Sequence, residues 1–259
     1  MKTLSDRLEP LCENIVTQKI TNKLNICNKR NMMTLIFGET GRGKTLTTRH
    51  WCAQNPRAIY IELKAACTLA TFVRKLAKAL TGQIHGSTIE NKEAVEQYLL
   101  SNDVLLVIDE ANQLLAPPSM AAKKKTMEYI RLDLFEQTGT PVAMIFTSYS
   151  LGEFTHGTLG SFLEQFLGRA QNRLDIPPRL FSVSEITPIV KMFVPEPQQE
   201  LINAAVEVAS GTGKLRSLVN HLTIAQELVT SEPGKYKMTG TLLKQVQDLY
   251  EGGGAWPED

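Results

Sequence analysis

The sequence has no apolar run long enough to cross a membrane. No stretch approaches the ~20 apolar residues of a spanning helix, and residues 1–31 have no apolar core of the kind found in secretory signals. The four cysteines form no Cys-x-x-Cys pair and have no histidine at metal-binding spacing. We therefore expect reduced thiols and a soluble cytoplasmic protein that has no membrane partner.

Neither sign of charge is in excess. The 259 residues include 28 basic and 27 acidic side chains, so composition alone favours no acidic partner such as nucleic acid. Any contact with DNA must come from local clusters of basic residues. A chain of this length can form one full α/β domain and a smaller helical domain.

The most informative segment is Gly-Glu-Thr-Gly-Arg-Gly-Lys-Thr at residues 38–45, which fits the phosphate-binding pattern GxxxxGK[ST]. Its glycines allow backbone angles closed to other residues, so successive N–H groups can turn toward phosphate oxygens beside a helix N-terminus. Lys44 would bridge the β- and γ-phosphates, and the Thr45 hydroxyl would bind Mg²⁺. The predicted nucleotide-binding residues of this segment are Gly38, Glu39, Thr40, Gly41, Arg42, Gly43, Lys44, Thr45 and Leu46.

An acidic pair follows the apolar run Val104–Ile108. Such a run is typical of a strand buried on both faces of a parallel sheet. Asp109 and Glu110 then lie at the carboxyl end of the strand, where open α/β sheets bind ligands. Asp109 would hold the Mg²⁺ shell, and Glu110 would polarise the attacking water as a general base. Downstream of a phosphate loop, this pair predicts an ATPase.

Strand-like and helix-like segments alternate along the chain, which predicts an α/β fold with a parallel five-stranded sheet and helices on both faces. The predicted strands are Met32–Phe37, Ala58–Leu63, Val104–Ile108, Val142–Phe146 and Leu180–Val183. The helical segments between them are Leu46–Gln54, Leu69–Leu80, Lys92–Leu100 and Lys123–Gln137. Beyond them, the helical segments are Gln198–Ala209, Lys214–Val229 and Thr241–Tyr250, which predict a small C-terminal helical lid domain.

Changes in composition divide the chain into four predicted segments. They are a helical lead-in (1–31), a nucleotide-binding domain (32–190), a helical lid (191–251) and a flexible tail (252–259). Pro195 and Pro197 mark the start of the lid. The tail is either a docking peptide or an end without function. Leu115–Lys125, rich in proline, alanine and lysine, is predicted to be an exposed loop.

Polar and basic residues beyond the fourth strand separate the classes of nucleotide-binding protein. Thr147 or Ser148 at the end of that strand would sense the γ-phosphate or position water. Arg169 or Arg173, in a helix-like stretch, would reach the γ-phosphate of a neighbouring subunit as a trans-acting finger. Arg216, which opens a helix of the lid, would touch the nucleotide in cis. Any one of these arginines is equally compatible with a solvated surface charge.

These features favour an oligomeric ATPase over two other classes. The sequence has no Asn-Lys-x-Asp motif for reading guanine, which argues against a GTPase. The last predicted strand is followed by a helical domain and not by an arginine-rich lid, which argues against a small-molecule kinase. The ordered series of phosphate loop, acidic pair, polar strand end and arginines is typical of an AAA+ ATPase.

The motif order resembles that of the AAA+ transposition regulators of the MuB and TnsC type, over roughly residues 20–250. The segments that carry the resemblance are GETGRGKT, VLLVIDEA, a strand ending in Thr-Ser, FLGRAQNR and GKLRSLVNHL. The sequence departs from that family in reading Asp-Glu-Ala-Asn at residues 109–112, where Asp-Glu-Ala-Asp is usual. Residues 1–31 are also too short for a separate helix-turn-helix domain.

The resemblance implies an ATP- and Mg²⁺-dependent homo-oligomer, hexamer-like or larger, that forms a ring or helical filament on double-stranded DNA. It implies that this assembly recruits and stimulates a transposase, acts with a target-selection protein, and comes apart on ATP hydrolysis. By the same resemblance, Lys44, Thr45, Asp109 and Glu110 are the nucleotide core. Thr147 or Ser148 is then the first sensor, Arg169 and Arg173 are the finger candidates, and Arg216 is the second sensor.

In the family, DNA is touched by loops and helix ends that follow the second strand. The matching candidates are Lys64, Thr68, Arg74, Lys75, Lys78 and Thr88. Lysine and hydroxyl groups on successive subunits can follow a phosphate backbone without reading bases. An ordinary amphipathic helix with a solvated basic face would give the same pattern. A second candidate, Lys123–Lys125, is equally compatible with solvated loop lysines.

Two alternatives to a transposition regulator remain open on the sequence. The first is a replication initiator or helicase loader, which would share the ATPase core but act on a helicase. The second is an AAA+ switch that never meets DNA, with which near-zero net charge is compatible. Binding to duplex DNA in the presence of ATP separates the second alternative from the other two.

Overall fold

The computed structural model describes residues 11–147, 157–177 and 180–250. Within them, parallel strands form a five-stranded sheet in the order β2-β3-β4-β1-β5. The strands are β1 (Met33–Gly38), β2 (Ala58–Glu62), β3 (Leu105–Asp109), β4 (Val142–Phe146) and β5 (Asn172–Ile176). The predicted parallel five-stranded sheet is confirmed, and β1 lies between β4 and β5.

Helices separate the strands and follow the last of them. Those that precede β5 are α1 (Ile15–Arg30), α2 (Lys44–Gln54), α3 (Leu69–Thr81), α4 (Thr88–Ser101), α5 (Met120–Glu128) and α6 (Gly157–Arg169). Those beyond β5 are α7 (Val183–Lys191), α8 (Gln199–Ser210), α9 (Leu215–Ser231) and α10 (Gly240–Tyr250). The predicted helical C-terminal region is therefore present. None of the described helices has the length and apolar character needed to cross a membrane.

The central strands are apolar because both of their faces are covered. Every residue of β1, β3 and β4 is buried, as expected for parallel strands with helices on both sides. Phe37 and Phe146, paired in register on β1 and β4, stack with ring centroids 5.0 Å apart. Helix α3 places Phe72 and Leu76 in the same core cluster. The sheet thus provides a rigid platform for the loops at its edge.

The fifth strand is β5 (Asn172–Ile176), and the prediction of a strand at Leu180–Val183 was wrong. Among the described residues β5 is an edge strand, paired on one side only, so charged residues are tolerated and a search for apolar runs misses it. The later segment instead leads into α7 because Ser182 begins a helix. The Glu185 carboxylate accepts the Ser182 backbone N–H at 2.9 Å, which is half of a Ser-x-x-Glu capping pattern.

The segment predicted to be an exposed loop, Leu115–Lys125, is mostly exposed, but it is a loop only as far as Ser119 and is helical from Met120. Leu115 is buried, and α5 begins at Met120 behind the N-cap residue Ser119, whose hydroxyl accepts the Ala122 N–H at 3.4 Å. A good cap followed by alanines and lysines favours a helix. Helix α5 continues directly into a π-helical segment, Tyr129–Gln137.

The described residues divide by their contacts into two units. Unit 1 comprises Lys19–Glu39 and Lys44–Pro177, and unit 2 comprises residues 11–18, Thr40–Gly43 and residues 180–250. Helices α7 to α10 of unit 2 share a core whose largest cluster includes Ile186, Leu201 and Leu222. The predicted lid boundary at residue 191 lies inside unit 2, whose helical part begins with α7. The predicted tail, residues 252–259, lies outside the described residues.

A buried amide at the start of β5 yields a stability prediction. Asn172 donates to the carbonyl of Lys23 at 3.0 Å and to the hydroxyl of Thr34 at 2.7 Å. We expect Asn172→Ala to lower the free energy of unfolding by about 1–3 kcal/mol, because buried acceptors lose their donor. Urea denaturation monitored by circular dichroism measures the change.

The matched control is Asn102→Ala in the same unit. The Asn102 amide donates to the Tyr98 carbonyl at an exposed helix end, so its loss should change the unfolding free energy by no more than about 0.5 kcal/mol. An equally small change for Asn172→Ala would contradict a tie between α1 and the sheet through that residue.

Candidate functional site

The topology brings the carboxyl ends of three strands of unit 1 to one edge of the sheet. Strand β1 pairs with β4, which pairs with β3. The loops that leave β1, β3 and β4 at their carboxyl ends therefore open on the same side, next to the point where strand order reverses. The phosphate-loop segment follows β1, the acidic pair ends β3, and Thr147 follows β4.

The lysine of the phosphate loop is folded against that loop. Lys44 is the first residue of α2 and is buried. Its Nζ donates to the carbonyl oxygens of Gly38 at 2.6 Å and Glu39 at 2.7 Å. Gly41 and Gly43, between Glu39 and Lys44 in the chain, have φ angles of +78° and +80°, which favour glycine. Lys44 lies in the first turn of α2, and a helix N-terminus favours an anion through its backbone N–H groups.

Two further predicted loop residues lie in unit 2. The Arg42 guanidinium is 4.2 Å from the centroid of the Phe181 ring, and Arg42 is buried. The carbonyl of Gly41 accepts the N–H of Leu215 at 3.3 Å. The side chain of Arg42 thus packs on an aromatic ring within unit 2. Thr40 is exposed, while Thr45 and Leu46 on the first turn of α2 are partly buried.

Asp109 is a completely buried carboxylate at the end of β3. Its Oδ1 accepts the backbone N–H of Glu110 at 2.8 Å, and its Oδ2 accepts the Tyr60 hydroxyl at 2.7 Å. A carboxylate has about four acceptor positions, so the two hydrogen bonds leave room for ligands on both oxygens. The donor set of carboxylate and nearby hydroxyl suits Mg²⁺, which prefers oxygen ligands and retains water.

Tyr60 belongs to a short polar chain that sequence reasoning missed. Arg49 Nε donates to the Tyr60 hydroxyl at 3.2 Å, and Arg49 Nη2 pairs with Glu62 Oε2 at 3.0 Å. Burial raises the pKa of Tyr60 above its usual range, and the negative charge of Asp109 raises it further. The hydroxyl therefore keeps its proton. The available signal was the spacing of Tyr60 and Glu62, which places both on one face of β2.

The charge of Asp109 is also felt at a neighbouring thiol. Burial raises the pKa of Cys52 to about 12, and the negative charge of Asp109 adds to the effect. Cys52 is a free thiol, as are the other three cysteines. At neutral pH this thiol is protonated and contributes packing without charge.

Glu110 is bound by Thr147, the residue that follows β4. It has left-handed backbone angles, φ 55° and ψ 38°, and its Oε2 accepts the Thr147 hydroxyl at 2.6 Å. The same hydroxyl lies 2.9 Å from Asn112 Oδ1, which also accepts the Thr147 N–H at 3.3 Å. The asparagine of the Asp-Glu-Ala-Asn segment therefore orients Thr147. Ser148, the other sensor candidate, lies outside the described residues.

The structure separates the two finger candidates. Arg169 ends α6, and its side chain is 57% exposed and pairs with Glu136 Oε1 at 2.7 Å. Arg173 lies on strand β5, not in the helix-like stretch that the sequence predicted. Its guanidinium donates to the carbonyls of Leu167 and Ala170. It thus satisfies carbonyl groups that the end of α6 leaves without intrahelical partners.

Glu136 is shared between two arginines. Its pKa is lowered chiefly by the hydrogen bond from Arg169 and then by that from Arg131. Arg131 is buried and also pairs with Glu128. The π-helical segment that carries Arg131 and Glu136 therefore contacts the last turns of α6, through Gln165 and Arg169.

The remaining predicted residues lie on two surfaces. Arg216, in the first turn of α9, is exposed in unit 2. In unit 1, Lys64, Arg74 and Lys78 are exposed, and Lys75 is partly buried. Thr68 is the N-cap of α3, where its hydroxyl accepts the Thr71 N–H at 3.4 Å.

Thr88, the last of the candidates for contact with DNA, is the first residue of α4 and is partly buried. The candidate lysines Lys123–Lys125 lie on α5 and not in a loop. Lys124 and Lys125 are exposed, whereas Lys123 is partly buried.

Comparison with known proteins assigns the fold. The family model of the AAA domain matches residues 27–153. No curated protein matches the chain significantly. The α/β fold with its five-stranded parallel sheet is that of AAA+ P-loop nucleoside triphosphatases.

Several solved structures share this fold at low identity. Orc1 from Aeropyrum pernix, in complex with DNA, is 15% identical with a TM-score of 0.64, over 91% of this chain and 64% of that one. Cdc6p from Pyrobaculum aerophilum is 13% identical with a TM-score of 0.65, over 90% and 67%. AMPPCP-bound DnaA from Aquifex aeolicus is 15% identical with a TM-score of 0.57, over 96% and 69%. The chain therefore spans just under two thirds of the Orc1 chain.

The contact between Thr147 and Glu110 yields a test of the site. We expect Thr147→Val to slow ATP hydrolysis at least about tenfold, because Glu110 loses the donor that orients it, while nucleotide affinity stays within about twofold. Phosphate release and binding of a fluorescent ADP analogue measure the two quantities.

Thr126→Val is the control for loss of a buried hydroxyl. Thr126 lies on α5, and its hydroxyl donates to the Ala122 carbonyl of the same helix at 3.1 Å, so its removal should leave the hydrolysis rate unchanged. Equal losses in the two variants would assign the effect of Thr147→Val to packing.

Proposed function

We propose that this protein is an ATP-dependent AAA+ ATPase that assembles on double-stranded DNA and regulates transposition. The observation that carries the ATPase assignment is the pair of buried Asp109 and partly buried Glu110, oriented by Tyr60 and Thr147 at the carboxyl ends of the sheet strands. Because the two carboxylates have separate hydrogen-bond partners, Asp109 can hold Mg²⁺ while Glu110 acts as the general base. The fold and its DNA-binding relatives support the wider class.

ATP and Mg²⁺ fit the residues at this edge. Lys44 would contact the β- and γ-phosphates, and Thr45 and Asp109 would hold Mg²⁺, which when bound neutralises phosphate charge. Glu110 would accept a proton from the attacking water, while the Thr147 hydroxyl, which donates to its Oε2 at 2.6 Å, keeps that carboxylate in position. Asn112 in turn accepts the Thr147 N–H at 3.3 Å and so orients the donor.

Arg169 is the finger that we propose acts between subunits. Its side chain is exposed and bound by one surface carboxylate, an arrangement whose release costs little because exposed ion pairs contribute at most about 1 kcal/mol. Arg173 is occupied by the carbonyls at the end of α6. Arg216 is exposed on the first turn of α9 and stays a candidate for contact with nucleotide in cis.

The proposed DNA contacts follow β2. Lys64, Arg74 and Lys78 are exposed, and Thr68 and Thr88 lie at the N-termini of α3 and α4. Basic side chains and helix N-termini are the groups that bind phosphates without reading sequence. Binding would therefore be largely independent of sequence and would weaken steeply with salt.

A replication initiator or helicase loader is the second candidate. It is favoured by the similarity to Orc1, Cdc6p and DnaA, of which the Orc1 structure is a complex with DNA. The transposition role is favoured by the order of sequence motifs, including the segment that carries Arg169 and the Gly-Lys-Leu-Arg segment that opens α9. Stimulation of a transposase or loading of a helicase in reconstituted reactions separates the two.

Nucleotide state should control assembly. We expect Glu110→Gln to trap ATP-bound assemblies on duplex DNA, because it keeps the nucleotide site but removes the base. Lys44→Ala should prevent assembly because the phosphates lose their cation. Sedimentation velocity with ATP and a DNA duplex measures both, and equal assembly by the two variants would contradict the scheme.

The DNA surface gives a separate prediction. Lys64→Ala combined with Arg74→Ala should weaken DNA binding about tenfold or more and reduce the salt slope by about 2, since each phosphate contact contributes about 0.9. Fluorescence anisotropy across a salt series measures both values.

The matched control removes one lysine and one arginine elsewhere in unit 1. Lys29→Ala with Arg30→Ala changes net charge equally at the exposed end of α1 and should leave the slope unchanged. If the two double variants behaved alike, the surface after β2 would have no special role. If the wild-type protein failed to bind DNA with ATP present, a DNA-free AAA+ switch would be favoured.

A further inference from the structure

A hydrogen bond between Tyr60 and Asp109 joins side chains of the paired strands β2 and β3. The Asp109 carboxylate is fully buried, and one of its oxygens is oriented by a backbone N–H that any residue would supply. The other is oriented by the Tyr60 hydroxyl at 2.7 Å. The orientation of Oδ2 thus depends on the side chain of a residue in a different strand, 49 positions earlier in the chain.

The direction of this hydrogen bond is fixed by Arg49. Arginine Nε is only a donor, so at 3.2 Å it makes the Tyr60 oxygen an acceptor. The single proton of that hydroxyl is then available for Asp109. Arg49 is in turn held by Glu62 at 3.0 Å and lies over the Tyr60 ring, 5.6 Å from its centroid.

A tyrosine is better suited than a lysine or arginine to orient a carboxylate that binds a metal ion. A lysine or arginine paired directly with Asp109 would cancel the charge that attracts Mg²⁺. The Tyr60 hydroxyl is neutral, and the charge of Arg49 is one residue removed and balanced by Glu62. Asp109 is thereby oriented by a side chain that leaves its negative charge in place.

We propose that Tyr60 is a positioning residue for the Mg²⁺ site, acting through Asp109 and itself oriented by Arg49. This inference rests on the proposed function, because it takes Asp109 as a residue that holds Mg²⁺. Residues behind a metal ligand typically change metal affinity about 10–100-fold when they are removed. The effect should therefore appear in metal dependence and not in nucleotide binding as such.

The test compares ADP affinity with Mg²⁺ and with EDTA. We expect Tyr60→Phe to raise the Mg²⁺ concentration needed for half-maximal strengthening of ADP binding about 10–100-fold, with the affinity in EDTA unchanged. Isothermal titration with ADP and MgCl₂ gives both values. Electron paramagnetic resonance with Mn²⁺ and ADP measures the bound metal directly.

Tyr129→Phe is the matched control. The Tyr129 hydroxyl is buried and makes no hydrogen bond within the described part of unit 1, so its removal should not change the metal dependence. Arg49→Ala is a second variant at a partly exposed position. It keeps the tyrosine but removes the donor that directs the Tyr60 hydroxyl toward Asp109. We therefore expect a smaller increase in the Mg²⁺ concentration needed, and this variant replaces Tyr60→Phe if the latter does not fold.

The outcomes separate the inference from the proposed function. Unchanged Mg²⁺ dependence in Tyr60→Phe and Arg49→Ala, or equal losses with and without Mg²⁺, would overturn the positioning role while the wild-type protein still bound Mg²⁺ and ADP. A wild-type protein whose ADP binding does not respond to Mg²⁺ would contradict the proposed function, and the inference with it.

Discussion

The burial of one carboxylate at the end of β3 constrains the rest of the site. An ionised carboxylate out of water is costly unless hydrogen bonds compensate it, and Asp109 is completely buried. The backbone turn at Glu110 supplies one donor, and Tyr60 from the neighbouring strand supplies the other. The left-handed turn at Glu110 and the polar side chain of Tyr60 on β2 thus both compensate the buried carboxylate. Without these two donors, a carboxylate would be costly at this position in an apolar sheet.

The same turn determines where the second carboxylate lies. Glu110 leaves β3 toward β4, where Thr147 meets it. The Asn112 side chain accepts the backbone N–H of Thr147. This bond joins the short 3-10 helix after β3, Ala111–Leu114, to the residue that follows β4. The amide at position 112, a departure from the usual aspartate, avoids placing a third carboxylate beside Glu110. The site thus has two acidic groups whose partners are distinct.

Local motifs were readable from the sequence, whereas contacts made across the sheet were not. The phosphate loop and Asp109 were predicted because each is a short segment with its own signature, and the fold places both at one sheet edge. Tyr60 was missed because its role depends on the register between β2 and β3. Strand β5 was missed because an edge strand tolerates charge. Arg173 was misplaced for the same reason, since the helix ends at Arg169 and the strand begins at Asn172.

We propose that ATP assembles this protein on DNA through an arginine supplied between subunits. The decisive experiment is electron microscopy of the protein with duplex DNA, comparing a non-hydrolysable ATP analogue with ADP. We expect rings or filaments on DNA only with the analogue, with Arg169 released from Glu136 and facing the nucleotide of the adjacent subunit. Absence of DNA-dependent assembly with either nucleotide, or an assembly in which Arg169 stays paired with Glu136, would contradict it.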